Sequence, residues 1–193
     1  VTIAQAAAAE PQLPSQQLLA KGSMELFDGK TLAGWQPVGD AKWRIVDGTI
    51  VTDGNQPGWL MTEGEYADFE LSVEFKAPAA TNSGVFLRSV LEPTDPTKDC
   101  CELNIAPPDN PFPTGSFVGR RRATPRADKL ATPNKWHTLL VEFNGRGWEA
   151  WLDGQYVLKY PAPESPRRGH IGLQSKEGAV AFRNIRLREI GSK

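Results

Sequence analysis

Cysteine is scarce in this chain of 193 residues, and its two copies, Cys100 and Cys101, are adjacent. Neighbouring side chains on a strand point to opposite faces, which disfavours an ordinary bridge between them. A strained vicinal disulfide stays open, but two free thiols are expected, one in the core and one facing outward. Histidine is equally rare, with two copies, and no CxxC or Cys/His spacing occurs, so no metal centre is expected. Neither charge sign dominates: 22 Lys and Arg stand against 23 Asp and Glu, for a formal net charge of -1. That balance removes the basic footprint a nucleic-acid partner would require, and the run Arg120-Arg121-Arg122 is read as a solvated loop. No stretch approaches the roughly 20 apolar residues needed to span a bilayer. No repeat of fixed period appears, and outside the N-terminal arm no apolar stripe has helical spacing.

What is abundant is punctuation and aromatic surface. Eighteen Gly, 16 Pro and six Trp in a chain of this length point to a turn-rich β protein, and the length suits one domain with a sizeable core. Residues 1–22 begin with the Ala-rich VTIAQAAAAEPQ and read as an export-related or flexible arm; residues 23–193 read as the folded domain. In KWRIVDGTIVT, Asp47-Gly48 marks a hairpin. ADFELSVEFKA alternates strictly, with Phe69, Leu71, Val73 and Phe75 inward and Glu70, Ser72, Glu74 and Lys76 wetting the outer side. Asn144-Gly145 and Asp153-Gly154 divide residues 135–160 into a three-strand meander, and two further strands flank Glu177-Gly178. Strands of this length and spacing predict an all-β sandwich.

The stretch TNSGVFLRSVLEPTDPTKDCCELNI (81–105) differs from the other strands. Alternation puts Val85 and Leu87 on one face and Phe86 and Arg88 on the other; Cys101, Leu103 and Ile105 oppose Glu102 and Asn104. A carboxylate, a guanidinium, an amide and an aromatic ring on one wall suit a sugar site. The loop-rich residues 106–135 follow, where repeated Pro excludes a regular central strand; loops that long in a compact domain usually serve function. SFV (116–118) is read as a short strand within it.

Several landmarks fall in order: LFDGKTLAGW at 26–35, DFELSVEFK at 68–76, NSGVFLR at 82–88, CELNI at 101–105, KWHTLLVEF at 135–143, GHIGLQ at 169–174 and FRNIRLRE at 182–189. In these, residues 24–190 resemble the 3-keto-disaccharide (3-keto-glycoside) hydrolase family. The resemblance implies a concanavalin A-like jelly-roll sandwich of two antiparallel sheets, export from a bacterial cell to the periplasm or the medium, and action on glycosides whose sugar carries a 3-keto group. The family's NSG…R element lies at Asn82, Ser83, Gly84 and Arg88. Its acid is kept as Glu102, while Cys100-Cys101 replace Gly-Tyr, Asn104 replaces Gln, Pro107 stands where Asp is expected, and His137 stands where Asn is common.

A ketone at C3 acidifies the C2 proton, so cleavage by β-elimination and hydration needs a base, a holder for the developing oxyanion and an acid for the leaving group. The expected catalytic set is Glu102 as acid/base, Arg88 as charge stabiliser and His137 as acid, although His137 also reads as a strand-start residue held by backbone. Glu102 and Arg88 also read as a structural ion pair across neighbouring strands. The expected substrate-binding set is Asn82, Phe86, Asn104, Trp59 and Gln174. A carbohydrate or glycoside ligand is the expected partner, with no nucleic acid and no membrane span. No cofactor is evident, calcium stays open, and sequence does not give the oligomeric state. The alternative reading is a non-catalytic carbohydrate-binding module on the same fold.

Overall fold

In the computed structural model, residues 22–191 are described, apart from 96, 146 and 162–167. The expected N-terminal arm therefore falls, but for residue 22, outside the described residues.

Strand formation follows the period-two pattern. In chain order the strands are β1 (Met24–Glu25), β2 (Trp35–Gly39), β3 (Arg44–Val46), β4 (Thr49–Thr52), β5 (Gly58–Thr62), β6 (Phe69–Lys76), β7 (Ser83–Ser89), β8 (Cys101–Ile105), β9 (Trp136–Phe143), β10 (Trp148–Leu152), β11 (Gln155–Tyr160), β12 (His170–Ser175) and β13 (Val180–Glu189). One short helix, α1 (Pro125–Leu130), interrupts the long loop before β9. The strands build two antiparallel sheets, one ordered β11-β10-β9-β6-β13-β4-β3 with β1 on β13, the other β2-β5-β12-β7-β8. This is the jelly-roll sandwich expected. Among the described residues no helix is long and apolar enough to cross a membrane.

The core lies between the sheets. Phe69, Leu71, Val73 and Phe75 of β6 and Leu139, Val141 and Phe143 of β9 face Leu60, Val85, Leu87, Leu103 and Leu173 of the smaller sheet, all buried in one cluster. Each such side chain contributes about 1.5–3 kcal/mol on burial, so the alternation itself drives the sandwich together. On the outer face of the larger sheet, Glu70 accepts from Arg188 at 2.6 Å and Glu74 from Arg183 at 2.7 Å; such pairs at a surface are worth about 0–1 kcal/mol each.

Two connections are decided by long-range pairing. β12 and β13 do not pair with each other across Glu177-Gly178 but enter different sheets, so this turn is a crossover rather than a hairpin. It is pinned on both sides: Asn82 and Glu177 exchange backbone hydrogen bonds of 2.8 and 3.0 Å, and Thr81 Oγ1 donates to Ala179 O at 2.9 Å. A Cβ on Gly54 would lie 2.1 Å from Gly178 O. In the loop before β9, Phe117 bridges to Leu103, and Val118 N donates to Glu102 O at 3.1 Å. The SFV segment thus covers the outer edge of β8, leaving less of its edge free to pair with another chain.

Both cysteines are buried, and no disulfide joins them. Cys101 points into the core as expected. Cys100 points the other way but is not outward-facing in the sense of exposed: it packs with Met61 and Phe86 in a second small cluster. Burial pushes the Cys101 thiol up to about 12 and raises Cys100 still further.

Candidate functional site

The outer face of the smaller sheet is a ruled surface. Register places Met61, Gly172, Phe86 and Glu102 in one row across β5, β12, β7 and β8. In the neighbouring row Trp59 faces Gln174 and Gly84 faces Asn104, with Leu173 opposite Val85 setting Gln174 beside Gly84. Each row holds one glycine among larger residues, and each glycine leaves room for a neighbour. A Cβ on Gly172 would meet Met61 Sδ at 2.5 Å, and one on Gly84 would meet Glu102 Oε1 at 3.0 Å and Cγ at 3.1 Å. The Glu102 side chain leans over Gly84 because nothing stands there.

Loops raise this surface into a hollow of about 270 Å³, lined by Trp59, Asn82, Phe86, Glu102, Asn104 and Gln174 from the strands and their ends, and by Pro93, Thr94, Asn110, Val118 and Lys176 around them. Trp59 and Phe86 form an aromatic corner with ring centroids 5.9 Å apart. Asn104 is oriented by its amide nitrogen, which donates to Phe112 O. Asp99 ties the 90–100 loop together by accepting from Thr94 N and Asp95 N, both at 2.8 Å, and does not line the hollow.

Three buried polar atoms of this hollow lack a partner among the described residues. Trp59 Nε1, Asn104 Oδ1 and Gln174 Oε1 are buried without a hydrogen bond among the described residues. Buried polar groups are normally satisfied because each unsatisfied one costs about 1–3 kcal/mol, so one donor and two acceptors left open around one hollow mark a place for a polar ligand. Glu102 is 4 % exposed. Its carboxyl is pushed up to about 7 by burial, opposed by the charge of Lys176, with no hydrogen bond stabilising the anion. A carboxyl poised near neutrality can take a proton and give it back.

Six of the expected residues therefore meet: Glu102, Asn82, Phe86, Asn104, Trp59 and Gln174. Arg88 does not. β7 carries an extra residue between its pairs with Gly172 and His170, and Arg88 has φ 50°, so its side chain turns inward, between the sheets. Its Nε donates to Ala67 O at 2.6 Å, its Nη2 pairs with Asp68 at 2.5 Å, and its Cζ lies 3.6 Å from the Phe143 ring centroid. The Glu102–Arg88 pair expected across neighbouring strands is not formed. His137 is also elsewhere. It lines a separate, mainly apolar cavity of about 250 Å³ beside Phe75 and Thr132, with Nδ1 against Asp153 Oδ2 at 2.7 Å and Nε2 against Thr132 O at 2.7 Å. Lys176 was missed, although it lies two residues past Gln174 and so continues the same face of the strand. Among the described residues no group of three or more His, Cys, Asp or Glu is placed to hold a metal ion.

The chain is similar over 79 residues to a 3-keto-disaccharide hydrolase from Bacteroides thetaiotaomicron, at 35% identity. That match covers 35% of this chain and only 27% of the relative. In fold it is similar to a proposed glycosyl hydrolase from Parabacteroides distasonis, with a TM-score of 0.78 at 20% identity over 91% of this chain and 97% of that one. It is similar as well to the carbohydrate binding module CBM66 from Bacillus subtilis, with a TM-score of 0.59 at 16% identity over 79% of this chain and 93% of that one. The model of the 3-keto-alpha-glucoside-1,2-lyase-like domain matches residues 22–188, and the chain belongs to that family.

Proposed function

We propose that the hollow on the smaller sheet cleaves glycosides whose sugar carries a ketone at C3, with Glu102 as the acid/base. The observation that carries this reading is the Glu102 carboxyl itself: buried, without a hydrogen bond, and poised near 7 inside a hollow of unsatisfied polar atoms. Ionised Glu102 takes the C2 proton, and the C–H pair becomes the enolate of the ketone. The enolate re-forms the ketone, C1=C2 forms, and the C1–O bond to the leaving group breaks. Protonated Glu102 returns its proton to the departing oxygen. Water then adds at C1 as a proton returns to C2, giving the free 3-keto sugar; without that second step the enone is the product. Trp59 and Phe86 supply apolar faces for the ring, and Asn82, Asn104, Gln174 and the Trp59 N–H address its hydroxyls. A paired-carboxylate glycosidase needs a second acid, and Glu102 is the one carboxylic acid among the described residues that line the hollow.

This assigns no role in the chemistry to Arg88 or His137. Incubation of E102Q with a 3-keto-glucoside, followed by product analysis, tests the reading; wild-type turnover in E102Q would end it. The fold shared with a carbohydrate binding module favours a second reading, ligand binding without turnover. That reading predicts calorimetric binding of unoxidised glycans and no product from either kind of sugar. Export to the periplasm or the medium remains part of the proposal and is tested by fractionating cells that express the full-length protein.

A further inference from the structure

An elimination through an enolate needs a positive group to hold the oxygen that becomes negative, and the inward turn of Arg88 removes the residue first expected there. Among the described residues lining the hollow, two are ionisable, Glu102 and Lys176. Among the described residues neither has an ion-pair or side-chain hydrogen-bond partner. A carboxylate and an ammonium that line one hollow without pairing can both face a ligand held in it.

The backbone holds the lysine in this position. Lys176 follows β12 directly, and the crossover after it is fixed by the paired backbone bonds of Asn82 and Glu177, by Thr81 on Ala179 O, and by the close approach of Gly54 to Gly178. The side chain itself is exposed, so it can swing toward a ligand from a stationary Cα. Its charge already reaches Glu102, where it favours the ionised form against burial.

Resting on the Glu102 reading above, we infer that Lys176 is the catalytic cation that holds the ketone oxygen of the substrate as it becomes an enolate oxygen. Glu102 and Lys176 then act on opposite ends of one electron shift. The carboxylate takes the C2 proton, the C–H electrons move toward C3, and the ammonium meets the charge on the C3 oxygen. When the enolate collapses and expels the C1 substituent, that charge leaves the lysine. An electrostatic contact made chiefly in the transition state acts on kcat rather than on KM, typically by 10²–10³-fold.

The test uses 4-nitrophenyl 3-keto-glucoside and the release of nitrophenol, with wild type, K176M, K176R and E102Q side by side. Expected are a fall in kcat of about 100-fold for K176M with KM changed less than about threefold, recovery of most of that loss in K176R, and a rise in the pH at which Glu102 becomes active in K176M. Wild-type kcat in K176M beside an inert E102Q would overturn the role of Lys176 and leave the Glu102 reading standing. Wild-type kcat in E102Q, or an inert wild type, would remove both. If K176R were as slow as K176M, and borohydride inactivated the wild type only with substrate present, the lysine would be forming an imine with the ketone, and the charge-holding role would be wrong.

Discussion

With Glu102 as the proposed base, one proton couples activity to stability. The Glu102 carboxyl in the folded chain titrates at about 7, against an ordinary value of 4.5. Between those two values the folded protein holds a proton that the unfolded chain has released. Stability is therefore highest at the acid end of this window, falls as pH rises toward about 7, and levels off above it. The deficit at alkaline pH is on the order of 3 kcal/mol. Gln keeps the shape and removes the charge, so E102Q should melt on the order of 6–12 °C higher than wild type at pH 8 and about the same at pH 5. Calorimetry at the two pH values checks this, and equal shifts at both would show that the carboxylate is not penalised by burial. On the proposed mechanism catalysis has the opposite dependence, because Glu102 must be ionised to act as base. kcat/KM should rise about tenfold per pH unit below about 7 and flatten above it. The form of Glu102 that the proposal puts to work is the form the fold tolerates least, a trade of stability for activity.

At the scale of the strand, the wall exists because β7 and β8 place small and large residues in matching rows. Gly84 is the sensitive point. Its backbone is compatible with alanine, and alanine is better tolerated in a strand than glycine, but the added Cβ would lie 3.0 Å from Glu102 Oε1 and 3.2 Å from Leu103 O. G84A should thus leave stability within about 1 kcal/mol of wild type while reducing kcat/KM about 10- to 100-fold by displacing the carboxyl. Full activity in G84A would mean that the position of the carboxyl is not critical. The same strands show how much of the site can be read from sequence. Alternation correctly grouped Phe86, Glu102 and Asn104, because side-chain direction in a regular strand follows from residue parity. It failed at Arg88, where the strand has one extra residue and a positive φ on a residue with a Cβ. Neither leaves a mark in the residue types, whereas a glycine or Asp-Gly at the bulge would have announced it. For His137, parity implied the inward side shared with Leu139, and its partners Asp153 and Thr132 come from turns that only the fold brings near. Glu177-Gly178 has the composition of a hairpin turn; which sheet the next strand enters is decided by long-range pairing with β4 and β6, which no local pattern encodes.

For the whole molecule, Arg88 has a structural role that its place in the NSG…R element does not suggest. It starts on the smaller sheet and ends against the larger one, 3 % exposed, with its guanidinium 3.6 Å from the Phe143 ring and 5.5 Å from the Trp148 ring. Burial lowers the guanidinium pKa more than Asp68 raises it, yet an arginine keeps its charge at any ordinary pH. The ion pair with Asp68, the hydrogen bond to Ala67 O and the aromatic faces together answer that charge. A cation clamped in this way ties the two sheets together at one end of the sandwich. R88A would leave a void and strand Asp68 and Ala67 O, changes that cost about 3–5 kcal/mol when both partners are buried. Asp68 keeps 21 % of its side-chain surface and can be rehydrated, which places the loss near 3 kcal/mol and the drop in Tm at roughly 6–12 °C. D68N should cost less, because the guanidinium keeps its aromatic faces and its bond to Ala67 O. Activity distinguishes this role from the one first expected of Arg88. Assayed well below its Tm, R88A should retain kcat/KM within about threefold per folded molecule, since Ala67, Asp68, Phe143 and Trp148, against which its guanidinium rests, do not line the hollow. If R88A instead lost activity about 100-fold at unchanged Tm, the guanidinium would have to turn outward to the substrate. The two sheets would then lose a cation between them at each turnover, and hydrogen exchange at Phe143 and Trp148 would rise when substrate binds.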